Sequence, residues 1–129
     1  FDIEEDVIYA FTSAGLQTIA LGSGTVNTQI EFSEDFKDAS YLTIENNIIY
    51  FIVGTSVYQS ILSASEEPDT PLLSYSGSYA YGFAVEDDRI YIADGGDFSS
   101  DSFVEIYNTS GTLLENITVG IAPNGFYFN

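Results

Sequence analysis

The sequence predicts an all-β fold made of repeated antiparallel sheets, and three observations carry this prediction. A heptad of similar pattern occurs at residues 3–9, 44–50 and 85–91, with an offset of 41 residues each time. Aromatic residues, which favour strands, are abundant, since the chain has ten Tyr and ten Phe. Pro is scarce, and no stretch of useful length has the apolar spacing of a helix. Strands therefore account for the whole repeat.

Each heptad predicts a hairpin between the first two strands of a unit. The central residues Asn46 and Asn47, like Asp87 and Asp88, tolerate the positive φ that a tight hairpin turn requires. The first copy has Glu5-Asp6 at this place, which fits less well, so we expect a looser turn there. Three strand-rich copies, each roughly 40 residues long, are typical of the blades of a β-propeller.

Four strands, labelled a to d from the innermost outward, are predicted in each unit. Strand a ends at Glu4, Glu45 and Glu86. The b strands are predicted at Val7–Thr12, Ile48–Val53 and Arg89–Asp94. The c strands are predicted at Leu16–Leu21, Val57–Ser63 and Phe103–Asn108, and the d strands at Thr25–Phe32, Pro71–Tyr75 and Leu113–Val119. Gly, Ser, Asn and Asp fill the gaps, as turns require.

The repeat units are about 1–41, 42–82 and 83–124, and a further inner strand is predicted at 125–129. Gly125–Phe128 has the pattern of the strand a segment Gly82–Val85. The chain thus predicts three four-stranded blades and one surplus inner strand. Propellers typically close with four to eight blades. We therefore expect a partial propeller domain, completed by blades from the same parent chain or from a second polypeptide.

Composition and charge exclude several classes of function. The net charge of −18 disfavours nucleic acid and anionic lipid as partners. The chain has no His and no Cys, which removes an imidazole base, a thiolate nucleophile and the usual zinc ligands. The repeated Glu4, Glu45 and Glu86 share one environment, whereas a catalytic pair needs two. We therefore predict that the chain is not an enzyme.

Three segments carry a family resemblance: Arg89–Gly96, Phe103–Gly111 and Ile117–Asn129. With these segments the chain resembles the YVTN/YncE-like propellers, most closely the DUF5074 branch of bacterial surface proteins. The resemblance implies a seven-bladed, non-enzymatic propeller that is exported, often as an outer-membrane lipoprotein. Some members of this family lie beside TonB-dependent transporters and capture cobalamin. It therefore implies binding of a small ligand such as a corrinoid, or docking to such a transporter. The alternative is a structural or adhesive module that binds only proteins.

The b–c and d–a loops of a propeller emerge on one face, where ligands commonly bind. Aromatic residues of these loops could pack on a flat ligand, and one Asn could supply a polar partner. The candidate ligand-binding residues are Phe36, Tyr79, Phe98 and Asn124. The alternative is that these aromatic side chains only cover neighbouring blades.

One acidic loop is a candidate calcium site. Asp94, Asp97 and Asp101 lie in a Gly-containing segment and could offer oxygen ligands to Ca²⁺. Their spacing is not that of an EF-hand loop, and no bidentate Glu follows at the required place. A solvated acidic loop that binds no metal is the alternative.

Overall fold

The structure is a computed structural model that describes all residues from Phe1 to Asn129, and it is all-β. Twelve strands form three four-stranded antiparallel sheets, which have the form of propeller blades. The predicted fold class is therefore confirmed. A short 3-10 helix at Glu34–Phe36 is the one helical element. No helix in the structure has the length and apolar character needed to cross a membrane.

Each sheet is formed by four strands that follow one another along the chain. The first has the order β1-β2-β3-β4, with bounds Asp2–Glu4, Val7–Thr12, Gly15–Ala20 and Val26–Glu31. The second has the order β5-β6-β7-β8, with bounds Ser40–Glu45, Ile48–Val53, Ser56–Ile61 and Leu73–Ser74. The third contains β9 to β12, with bounds Ala80–Glu86, Arg89–Asp94, Asp101–Asn108 and Leu113–Ile121.

The strands nearest the heptads agree best with the sequence. The predicted b strands have the same bounds as β2, β6 and β10. Asn46 and Asn47 have φ values of 52° and 61°, and Asp87 and Asp88 have 51° and 58°. In the first hairpin only Glu5 has a positive φ. That turn therefore differs from the other two, as its side chains predict.

The outer strands and the C-terminal segment depart from the predicted bounds. Strand β8 has only two residues, Leu73 and Ser74, where five were predicted. Residues 125–129 form no strand, because no strand of the chain pairs with them. They still have the spacing of an extended segment, since Phe126 and Phe128 both pack on Tyr91, with ring centroids 5.6 and 5.1 Å away. The predicted surplus inner strand is thus a segment that packs on Tyr91 through two aromatic rings but pairs with no strand.

Contacts divide the chain into two compact units. Unit 1 contains Phe1–Val53 and Tyr58–Pro71, and unit 2 contains Gly54–Val57 and Leu72–Asn129. In unit 1 an aromatic and aliphatic core lies between the strands of the first sheet and β5 to β7. Its buried residues are Leu16, Ile30, Phe36, Leu42, Ile49 and Phe51.

The core of unit 2 is centred on β10. Ile90, Ile92 and Ala93 are fully buried there, and Val85 and Tyr107 are buried on the strands to either side. The pairing of β10 with β9 shifts at Ala93-Asp94: Ala93 pairs with Gly82 and Asp94 with Ala80, which leaves Tyr81 as an extra residue in β9. This irregularity marks the end of the strand from which the candidate site is built.

Candidate ligand-binding site

Asp94, the last residue of β10, is a buried carboxylate that organises the loop before β9. Its side chain is only 3% exposed. Its Oδ1 accepts hydrogen bonds from the Tyr75 hydroxyl at 3.0 Å and from the backbone N–H groups of Ser78 and Tyr79 at 3.0 and 2.9 Å. Its Oδ2 accepts a 2.9 Å bond from the N–H of Gly96. The carboxylate therefore connects residues 75–79 to the turn that follows β10.

These hydrogen bonds determine the ionisation of Asp94. Burial raises the pKa of the carboxyl, but the bonds from Tyr79, Tyr75, Ser78 and Gly96 favour the charged form and outweigh it. The pKa of Asp94 is therefore below its ordinary value, and the side chain is a carboxylate at neutral pH.

Glu105 in β11 is a second buried carboxylate bound to the same loop. Its side chain is 1% exposed and accepts bonds from the N–H and Oγ of Ser76, at 3.1 and 2.5 Å. The Tyr107 hydroxyl and the Asn116 side-chain amide donate two further bonds, at 2.5 and 3.0 Å. Burial raises the pKa of Glu105, but these bonds outweigh it and lower the pKa overall. Burial and the neighbouring Glu105 raise the pKa of Tyr107, so its hydroxyl stays a donor.

Three aromatic side chains meet at the outer end of this loop. Tyr79 and Phe98, both predicted as ligand-binding residues, lie with ring centroids 5.7 Å apart. Tyr81 completes the group, with its ring 6.0 Å from Tyr79 and 5.1 Å from Phe98. Tyr79 is 54% exposed and Phe98 is 50% exposed. We call Tyr79, Tyr81 and Phe98 the aromatic cluster. It presents ring surface to solvent.

The backbone fixes both sides of the aromatic cluster. The N–H of Gly95 donates a 2.8 Å hydrogen bond to the carbonyl of Tyr79, and the N–H of Phe98 donates a 3.3 Å bond to the carbonyl of Gly95. A Cβ atom at Gly95 would lie only 3.0 Å from the Phe98 ring and 3.2 Å from the Tyr79 ring. Phe98 has a φ of 59°, which is uncommon for a bulky residue. The rings of Tyr79 and Phe98 therefore pack directly on the backbone of Gly95, where a larger residue would not fit.

The three predicted calcium ligands are not brought together. No group of three acidic side chains among residues 1–129 is arranged to hold a metal ion. The oxygens of Asp94 accept protein hydrogen bonds, as described above. Asp97 closes a turn by accepting bonds from the N–H groups of Ser99 and Ser100, which lower its pKa to about 2. Asp101 is exposed at the start of β11. Backbone N–H groups and side-chain hydroxyls of the protein thus donate to the first two carboxylates.

The other two predicted ligand-binding residues lie elsewhere. Phe36 is 8% exposed and belongs to the core of unit 1, where its ring lies 4.9 Å from that of Tyr58 and 6.1 Å from that of Phe51. It is therefore not the exposed loop aromatic that was predicted, because the 3-10 helix turns its side chain inward. Asn124 is exposed, but it is not part of the aromatic cluster. Its backbone packs close to Gly82.

Two functional features were missed at the level of sequence. Tyr81 lies two residues after Tyr79, but Tyr79 precedes β9 and the pairing of β9 with β10 skips Tyr81, so strand alternation does not predict that these two rings meet. Glu105 lies between Val104 and Ile106 in a mostly apolar strand, and a charge at such a place indicates a buried partner. The partner itself, Ser76, could not be inferred from spacing.

Comparison with known proteins gives a fold likeness alone. The sequence matches no protein-family profile. It also matches no curated protein sequence. Among solved structures it is similar to the crystal structure of the computationally designed Ika8 protein, with 12% sequence identity and a TM-score of 0.66. The likeness covers 99% of this chain and 39% of the designed one, so the chain spans well under half the length of that structure. At this identity the comparison shows the fold and no activity.

Proposed function

We propose that the chain is a non-catalytic binding module whose ligand packs on the aromatic cluster. One observation carries this proposal: the exposed rings of Tyr79 and Phe98 meet the half-buried ring of Tyr81, and Tyr79 ends the loop 75–79 that two buried carboxylates hold in place. Aromatic side chains contribute a large contact area and lose little conformational freedom on binding. Because Asp94 and Glu105 already order the loop, the ligand would bind a preorganised surface.

The chemistry around the aromatic cluster favours binding over catalysis. The two buried carboxylates near it, Asp94 and Glu105, have their oxygens occupied by hydrogen bonds and are stabilised in the charged form. A general acid or base instead needs a pKa near the working pH and access to the substrate. With no His and no Cys in the chain, the residues that remain supply contact surface and hydrogen bonds.

We further propose that the chain belongs to a larger propeller of the YVTN/YncE-like type, in its DUF5074 branch, exported to the bacterial cell surface as an outer-membrane lipoprotein. The three-fold heptad and the three four-stranded sheets support this proposal. The fold likeness to part of a longer chain is compatible with a chain that forms part of a larger assembly of blades. The remaining blades would then be the first partner of this chain, and a TonB-dependent transporter the second.

A corrinoid is the ligand that we propose, since the resemblance implies it and the edge of a large macrocycle can contact the exposed rings of Tyr79 and Phe98, which are inclined to each other by 64°. Cyanocobalamin is mixed with the full chain, purified with any polypeptide that accompanies it, and retained pigment is measured by visible absorbance after gel filtration. We expect the double variant Tyr79→Ser, Phe98→Ser to lower the affinity by about tenfold or more, because each ring contributes on the order of 1 kcal/mol.

The matched control for this experiment is Tyr127→Ser, which removes an exposed aromatic residue outside the cluster. Its affinity should equal that of the wild type. Failure of the wild type to retain pigment would exclude the corrinoid. Equal retention by the double variant would place the corrinoid elsewhere than on the cluster.

The second candidate function is a structural or adhesive surface module that binds only proteins. The observation that favours it is β12, none of whose residues is fully buried. Four of its large apolar side chains are roughly half exposed: Leu113, Leu114, Ile117 and Ile121. Mass spectrometry of the protein from its native source, first intact and then denatured, distinguishes the cases. A second polypeptide released on denaturation would support a protein partner, and a small mass lost on denaturation would support a bound ligand.

A further inference from the structure

A groove in unit 1 is lined by uncharged residues, although the chain as a whole is strongly acidic. It has a volume of about 610 Å³, and its polar lining includes Tyr9, Gln29, Asn46 and Asn47. Ile48 and Ile61 contribute apolar surface. No carboxylate lines the groove, although the chain has 20 acidic residues. By contrast, a cleft of about 300 Å³ beside Tyr91, the repeat equivalent of Tyr9, is lined by Glu86 and Asp87.

The amide side chains of the groove are not required by the turn that carries them. Asn46 and Asn47 occupy the central positions of a hairpin with φ values of 52° and 61°. Asp87 and Asp88 occupy the equivalent positions of the third repeat with φ values of 51° and 58°. Both residue types therefore adopt the same turn. The difference between the two turns is one of charge and of hydrogen-bond donors, and the neutral turn is the one that lines the groove.

The groove offers both donors and acceptors. Gln29 has a fixed orientation, because its Nε2 donates to the carbonyls of Leu62 and Ala64 at 2.8 and 2.7 Å, which leaves its Oε1 as an acceptor. The exposed amides of Asn46 and Asn47 provide donors and acceptors at the rim. Burial, together with Glu4 and Glu5, raises the pKa of Tyr9, so its hydroxyl remains protonated and can donate.

We propose that this groove binds an uncharged sugar chain. Sugar hydroxyls both donate and accept, which matches amides and a phenol, and the C–H faces of a pyranose ring match the apolar surface of Ile48 and Ile61. The net charge of −18 opposes an anionic ligand, and a cationic ligand would be served better by the carboxylates found in the other turns. The site lies in unit 1 and the aromatic cluster in unit 2, so the two proposals are independent.

The test is a titration of the ¹⁵N-labelled chain, observed through the side-chain amide resonances of Gln29, Asn46 and Asn47. The probes are maltohexaose, laminarihexaose and mannohexaose as neutral sugars, hexagalacturonate as an anionic sugar, and a Gly-Ser hexapeptide. We expect at least one neutral hexasaccharide to shift these resonances to saturation, and hexagalacturonate to bind at least about tenfold more weakly than that sugar.

The variant Asn46→Asp, Asn47→Asp should lower the affinity for the neutral sugar by about tenfold, because two donors are lost while the turn is retained. The matched control, Asp87→Asn with Asp88→Asn, changes the same turn of the third repeat and should bind as the wild type does. A second variant, Ile61→Lys, places a long side chain in the groove at an exposed position and should also weaken binding. The proposal is overturned if no neutral hexasaccharide shifts the three amides, if the Asp variant binds as well as the wild type, or if only the peptide binds.

Discussion

Replacing Asp94 by Asn measures how strongly the buried carboxylate stabilises unit 2. The change is isosteric, but Asn retains one oxygen where Asp has two acceptors. If Nδ2 takes the place of Oδ2, it faces the N–H of Gly96, so one bond is lost and two donors oppose each other. The three donors on Oδ1 keep their acceptor but lose its charge. Because a hydrogen bond to a charged group contributes about 1.5–3 kcal/mol, we expect the free energy of unfolding to fall by about 2–4 kcal/mol.

Urea unfolding at pH 7, followed by circular dichroism, gives the measurement. The matched control is Asp101→Asn, which makes the same charge change at an exposed position and should alter stability by less than about 0.5 kcal/mol. The amide of Tyr79 should also exchange with solvent faster in Asp94→Asn, because it donates to this carboxylate. A loss no larger than that of the control would refute the view that Asp94 holds the loop.

The pH dependence of the same pair of proteins provides the other half of this test. The folded pKa of Asp94 is lowered, so its contribution is present above the unfolded pKa of about 3.9 and is lost as the pH falls through the folded value. The stability difference between the wild type and Asp94→Asn should therefore be largest above about pH 4 and narrow below it. A difference that stays constant from pH 7 to pH 2 would contradict this origin.

Three further changes test other parts of the structure, each by urea unfolding. Phe36→Ala should lower the free energy of unfolding by about 3–5 kcal/mol, because it leaves a cavity in an aromatic core. The control Phe1→Ala removes a ring that is 82% exposed and should leave the free energy of unfolding almost unchanged. Equal effects would contradict the burial of Phe36. Gly15→Ala should lower the free energy of unfolding by more than about 2 kcal/mol. The reason is that Gly15 has a φ of 121° and a Cβ atom there would lie 2.0 Å from the carbonyl oxygen of Ile30. An unchanged free energy of unfolding would show that β3 and β4 pack less closely here than described. Glu105→Gln should lower the free energy of unfolding at pH 7, and the difference from the wild type should disappear in acid, because the pKa of Glu105 is also lowered in the folded state. A loss of stability that is the same at every pH would assign the role of Glu105 to packing alone.

Local chemistry explains which parts of the fold could be predicted from sequence. Asn and Asp accept positive φ, so the turns at Asn46-Asn47 and Asp87-Asp88 follow from their own side chains. The strands that follow the three turns are rich in β-branched and aromatic residues, and their predicted bounds agree with β2, β6 and β10. The sequence predicted that Tyr79 and Phe98 both lie in loops on one face, but it did not predict that their rings are in contact.

Other features depend on partners that are distant in sequence, and only the tertiary structure decided them. Phe36 looks like an exposed loop residue until the rings of Phe51 and Tyr58 surround it. Asp94 looks like a metal ligand until the N–H groups of Ser78 and Tyr79 reach its oxygens. The sequence by itself determined the repeat, its turns and the b strands that follow them, because those depend on φ preferences and strand propensities within a few residues. Burial and carboxylate pairing were decided by the tertiary structure, because both depend on which distant groups fill the space around a side chain.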